Sequence, residues 1–180
     1  MLAYLFILIA IAVRLAIVVI PSHPFNFTPV GAALLYFGAR RSRREFAIPV
    51  LMLAASDVYL TRVHYGMTQS WDFLVVCAWY TAALFMGQFI VSKTTPVRVM
   101  SAALAAAVSF FLVSNFAVWA FGTMYPHSWA GLLQCYTMAI PFFRNTFASD
   151  LILTPLAFSL PAAAAALSRY VRAGDTTPAA

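Results

Sequence analysis

Charge is scarce in this sequence. Asp, Glu, Lys and Arg make up 9% of the 180 residues, and only five of these residues are acidic. A water-soluble domain carries about 25% charged residues, so the chain lacks the material for a surface that faces water throughout. Cysteine is limited to Cys77 and Cys135. They form no metal or redox spacing, and both lie in apolar surroundings, as small core residues do. His23, His64 and His127 include no His-x-x-x-His pair, which excludes a preformed zinc site of that kind. Neither a Gly-rich phosphate loop, a Walker motif nor a Ser-His-Asp order is present, so ATP hydrolysis by a P-loop route is excluded. The first 20 residues lack a basic leader and a small-x-small cleavage site, and Arg14 interrupts their apolar run. A retained first helix is expected rather than a signal peptide.

What the chain does contain is apolar runs, with 63% of its residues hydrophobic. Each bilayer span takes roughly 20 such residues. Runs over 2–20, 29–39, 46–60, 71–91, 99–121 and 147–167 predict an all-α integral membrane fold, a bundle of six transmembrane helices in a single domain over 1–172. The 29–39 run is short for a span, so it must be tilted, sheltered by neighbours or extended. Pro96 marks the break before the fifth run. The shorter apolar stretch 130–143 reads as a re-entrant or interfacial helix before the last span, and 173–180 as a disordered tail.

The net charge of +6 is distributed as a topology signal rather than as a nucleic-acid footprint. With the N-terminus inside, Arg40, Arg41, Arg43, Arg44, Lys93, Arg98, Arg169 and Arg172 fall in inner segments, where they can also touch lipid headgroups. Only Arg62 and Arg144 fall in outer ones. The positive-inside rule then predicts a multi-pass membrane protein with both termini cytoplasmic.

The polar and aromatic residues gather in the outer half of this topology, the pattern of an outward-opening ligand site. Candidate ligand-binding residues are His23, Asn26, Asp57, Tyr59, Asn115, Trp119, Tyr136, Arg144 and Asp150. Asp57 and Asp150 sit in similar strings, ASDVYLT over 55–61 and ASDLILT over 148–154, and at similar depth. A carboxylate facing lipid is costly, so both should face the bundle interior and have partners. Arg144 is the natural partner of one of them, either as a structural ion pair or as a ligand contact. Asn115 and Trp119 share a helix face four residues apart, where an amide either bonds a neighbouring helix or reads a ligand. Trp71 and Trp129 suit an interfacial belt. Arg14, mid-span, needs a polar partner or a route to the interface. Ala12 and Ala16 flank it, and small residues four apart allow another helix to approach.

The strings PSHPFNFTPVGAALLYFGAR, SDVYLT, FFLVSNFAVWA and MYPHSWAGLLQCYTMAIPFFRNTFASDL resemble a family of small bacterial membrane proteins described only as candidate transport proteins. The resemblance covers about 21–160. More distantly, the architecture resembles the substrate-binding S components of energy-coupling-factor transporters, six-helix vitamin binders whose site opens outward. The resemblance implies that Ala12 and Ala16 match an Ala-x-x-x-Ala motif that docks a coupling membrane subunit with an ATPase. The nearest functional analogue is the solitary BtuM-type cobalamin S component, which implies His23, Asp57 and Arg144 near a vitamin-sized, cobalt-containing ligand and no intrinsic cofactor. BtuM-type proteins often reach cobalt with a cysteine after the third helix. Here 62–72 holds none, and Cys77 lies further on, inside a span.

The leading expectation is therefore an S-component-like transport subunit rather than an enzyme, binding a small molecule from the outer face. The partners implied are that ligand, the bilayer and an energy-coupling subunit, with no nucleic acid. An outer-leaflet enzyme using Asp57, Asp150 and a histidine is the first alternative, and a structural or assembly protein is the second.

Overall fold

The computed structural model describes residues 1–18, 27–68, 70–91 and 94–174, and among these it contains helices and no strands. The helices are α1 (Leu2–Ile17), α2 (Val30–Arg40), α3 (Ala47–Tyr59), α4 (Asp72–Val91), α5 (Pro96–Phe121) and α6 (Trp129–Gly174). A 3-10 turn, Arg43–Glu45, leads into α3, and a π-helical turn, Leu60–His64, follows it. Among the described residues, four segments are long and apolar enough to cross a membrane: Arg43–His64, Asp72–Ile90, Pro96–Phe121 and Trp129–Tyr170. The helices Leu2–Ile17 and Val30–Arg40 are apolar but shorter.

The shortest helix lies at the centre. Every residue of α2 from Val30 to Gly38 is buried, which explains how an 11-residue apolar helix persists without the length of a span. Its neighbours cover it on several sides. Tyr4 and Phe6 of α1 meet Phe37 and Tyr36 edge-on at 5.0 and 4.8 Å, and Phe158 of α6 meets Tyr36 at 5.2 Å. Against α4 the contact is made by backbone. A methyl placed on Gly38 would run into the Leu84 carbonyl, and one on Gly87 into the Leu35 carbonyl. Helices in lipid associate through this kind of close approach, because apolar side chains gain little there by leaving lipid.

The break expected before the fifth run lies just ahead of Pro96, which is the first residue of α5, so that helix begins at 96 rather than 99, with Thr95 as N-cap accepting from the Arg98 N–H at 3.3 Å. Proline suits that position because its missing N–H would have no helical partner. The stretch 130–143 is not a separate re-entrant helix. It is continuous with the last span in the 46-residue α6, which passes through Pro141, Pro155 and Pro161. The polar residues Arg144, Asn145 and Thr146 carry no obligatory break, since each can be helical, and packing on α5 holds the segment. Tyr136 donates to the Leu112 carbonyl at 2.7 Å, and the Phe111 and Phe143 rings lie 4.5 Å apart. Helix α6 also runs through Gly174, so the expected tail from 173 is helical at its start; 175–180 lie outside the described residues.

One end of the bundle gathers basic side chains. Glu45 accepts from Tyr4 and Arg41, and Arg43 donates to Gln88 at 2.5 Å. Arg40 lies over Tyr36 and Phe158, and Arg98 over Phe89 at 5.3 Å. The outward face is apolar, with Leu5, Leu8, Leu51, Leu74, Phe89, Leu104, Phe116 and Ile152 all exposed. The buried polar side chains among the described residues are Ser56, Asp57, Ser149, Asp150 and Thr154. An apolar exterior around a few interior polar groups is the arrangement that lipid requires.

Candidate functional site

At the end opposite the arginines, the helices enclose a cavity of about 300 Å³. It is bounded by the last turn of α1, the first turn of α2, the end of α3 with the π turn, the first half of α4, and mid-helix residues of α5 and α6. Arg14, Asp57 and Asp150 are its ionisable walls, with Tyr65, Trp79, Tyr80 and Phe110 as its aromatic ones, and Thr28, Thr61 and Thr146 also line it. The π turn shapes this wall. Tyr65 N–H donates to the Leu60 carbonyl five residues back at 2.9 Å, which brings Leu60, Thr61 and Tyr65 together on the cavity.

Arg14, Asp57 and Tyr80 close a ring of charge-assisted hydrogen bonds. The Arg14 guanidinium donates to Asp57 through Nη2 and to the Tyr80 hydroxyl through Nη1 at 2.9 Å; Tyr80 in turn donates to the second Asp57 oxygen at 2.8 Å. Each carboxylate oxygen thus has its own donor. Such satisfaction is the condition under which a buried ion pair is tolerated. Beside this ring, Trp79 donates from Nε1 to Ser109 Oγ at 3.0 Å and meets the Phe110 ring in a tilted contact at 4.7 Å. These contacts tie α4 to α5.

Asp150 has a different environment. It is 2% exposed, and its partner is the backbone N–H of Ala32 in the first turn of α2. Pro29, the N-cap residue of α2, provides no side-chain cap. Asp150 supplies that cap from another helix, where a carboxylate suits both the free N–H groups and the positive end of the helix dipole. Gly31 makes room for it, since a methyl there would overlap the carboxylate. One turn further along α6, the Thr154 hydroxyl is buried with no hydrogen-bond partner.

The predicted residues therefore separate. Asp57 and Asp150, matched in depth by their strings, line one cavity. Arg144 is exposed and pairs with neither of them. The partner of Asp57 is Arg14, which reaches it because the last turn of α1 faces the end of α3 while Arg144 lies on the outer face of α6. Tyr59 is exposed and lies off the cavity. Asn115, Trp119 and Tyr136 belong instead to the α5–α6 hairpin. Asn115 donates to the Phe111 carbonyl at 2.7 Å, and Trp119 to the Pro126 carbonyl at 2.9 Å. Asn115 lines a second, smaller pocket of about 220 Å³ with Phe111, Ser114 and Phe143. Ala12 and Ala16 lie on the exposed face of α1. His23 and Asn26 fall outside the described residues.

The candidate list omitted Arg14, Tyr65, Trp79 and Tyr80. Arg14 had a legible signal, a cation inside a span of a chain with five acidic residues. Tyr80 had none, because a tyrosine in an apolar run reads as core. Among the described residues, no group of three or more His, Cys, Asp or Glu could hold a metal ion.

No curated protein and no solved structure matches the chain. A family of unknown function does match, over residues 1–173 and thus nearly the whole length, and it names no reaction and no ligand. The chain belongs to that family, DUF6580.

Proposed function

We propose that this chain is a small-molecule-binding transport subunit of the bacterial inner membrane, with all six helices in the bilayer and both termini cytoplasmic. The observation that carries the reading is the cavity itself, about 300 Å³ lined by Asp57, Arg14, Tyr80 and Asp150 inside an otherwise apolar bundle. Ionisable groups at membrane depth are costly and usually functional. Their convergence on a cavity with aromatic walls has the form of a ligand site. The positive-inside rule puts the arginine-rich end in the cytoplasm, so the cavity lies in the outer half, on the side from which an uptake subunit takes its ligand. At the low end of the ~300–1,000 Å³ usual for ligand pockets, it suits a single vitamin ring system better than a whole corrinoid. Energy would come from a coupling subunit with an ATPase, docked on the exposed α1 face that carries Ala12 and Ala16.

The test is a screen of purified protein in detergent for thermal stabilisation by B vitamins, cobalamins and small polar metabolites, since a ligand of the native state raises apparent stability. The expected result is a hit that disappears in Thr61→Trp, which fills the cavity. A folded protein stabilised by nothing in the screen counts against the reading and favours a structural or assembly role. In cells, Ala12→Leu combined with Ala16→Leu should stop accumulation of the hit while leaving its binding to purified protein unchanged.

A further inference from the structure

The charges on the cavity walls do not balance. Two carboxylates, Asp57 and Asp150, face one guanidinium, Arg14, and the remaining lining residues are threonines, aromatic or aliphatic residues and Gly31. Arg14 and Asp57 neutralise each other. Asp150 has no cation partner among the described residues; it keeps only the Ala32 N–H. The positive end of α2 offsets about half a charge. However, the last turn of α1, whose Ile17 and Val18 also line the cavity, brings the negative end of a helix to the same space. With Asp150 ionised, the described walls of the cavity carry a net negative charge, and they include Tyr65, Trp79, Tyr80 and Phe110.

Among the described residues an anionic ligand would find no free partner here, because the guanidinium is held by Asp57 and Tyr80 and the α2 N-terminus is held by Asp150. A neutral ligand would leave an ionised Asp150 without a counter-charge, so the carboxyl would have to take up a proton. A cation answers both the carboxylate and the aromatic faces, whose electron-rich rings attract positive charge. We infer that the cavity takes an organic monocation, a protonated amine or quaternary ammonium with a compact apolar body, whose charge lies against Asp150 and whose body lies against Trp79 and Phe110. This inference rests on the ligand-site reading above and names the class of ligand for that site.

The experiment compares matched probes by thermal shift and calorimetry on purified protein. Phenethylammonium, tryptammonium and choline are each set beside an uncharged isostere, and phenylacetate represents anions. The expected outcome is stabilisation by ammonium probes, with the neutral isosteres at least tenfold weaker. Asp150→Asn should erase that preference while leaving the protein folded, because Asn caps a helix about as well as Asp. The isostere comparison uses the unaltered protein, so it decides the question even if the variant folds poorly. Equal or tighter binding of the alcohols or of phenylacetate overturns the cationic class and leaves the ligand-site reading standing. If every probe is silent, the charge of the vitamin-screen hit decides: a positively charged hit supports the inference, and a neutral or anionic one overturns it. Silence in both screens overturns the ligand-site reading and this inference together.

Discussion

At Asp57 the side chains of three helices meet, and the ring has a consequence for stability that differs from that of an ordinary surface pair. The Asp57 side chain is only 9% exposed and that of Arg14 23%, so neither charge has a full hydration shell to fall back on. Removing one partner of such a pair costs about 3–5 kcal/mol, because it leaves the other charge stranded. Asp57→Ala is expected to lose about that much, read as chemical denaturation in detergent. Arg14→Leu combined with Asp57→Leu should be less damaging than either single change, and strict additivity in that cycle would show that the two groups do not interact. The matched strings around Asp57 and Asp150 also share a local device. Ser56 returns its hydroxyl to the Leu53 carbonyl at 2.7 Å, and Ser149 does the same to Thr146 at 2.8 Å. Each serine satisfies itself within its helix and leaves the neighbouring aspartate to serve the cavity. The sequence shows the two aspartates and their equal depth, but their different partners, a guanidinium for one and a helix terminus for the other, depend on which helices adjoin them.

Among the elements, α2 is the one whose role the apolar pattern describes least well. Its 11 residues fall short of a span, and shelter by neighbours was one of three ways to accommodate that. The burial of Val30–Gly38 selects that one. The device is the glycine pair on the α2–α4 contact, where each Cα faces the other helix's carbonyl. Gly38→Ala would force the two backbones apart, and overpacking of this kind costs about 1–3 kcal/mol. A lowered thermal midpoint in detergent is expected, whereas an unchanged one would mean the helices are not held at this distance. The partners of Gly38 and Gly87 are not legible in the sequence, since Leu84 and Leu35 present backbone to them. Helix α6 shows the opposite failure. The apolar stretch 130–143, too short for a span, reads as separate from 147–167, a division that one continuous helix packed on α5 removes.

Taken as a whole, the molecule has two chemically distinct ends. Tyr4, Arg40, Arg41, Arg43, Glu45, Gln88 and Arg98 meet at one, and the cavity opens among helix ends at the other. The proposed orientation is tested in a background of Cys77→Ala and Cys135→Ala, with single cysteines introduced at exposed sites. A membrane-impermeant maleimide should label Thr123→Cys in intact cells. It should label Arg44→Cys and Ser168→Cys only after permeabilisation. The reverse pattern would invert the topology and turn the cavity toward the cytoplasm. Composition and the length of the apolar runs determined that this chain is helical and suited to lipid. So few charged residues cannot clothe a surface in water, and runs of roughly 20 residues fit helical spans rather than the shorter strands of a barrel. They also determined that Asp57, Asp150 and Arg14 would need partners, since burial makes any lone charge expensive. Tertiary structure decided which partners they found, that α2 lies at the centre, and that Tyr59, Asn115, Trp119, Tyr136 and Arg144 lie apart from the cavity. Those outcomes turn on the rotation and close approach of helices distant in sequence, which no periodicity within a single helix encodes.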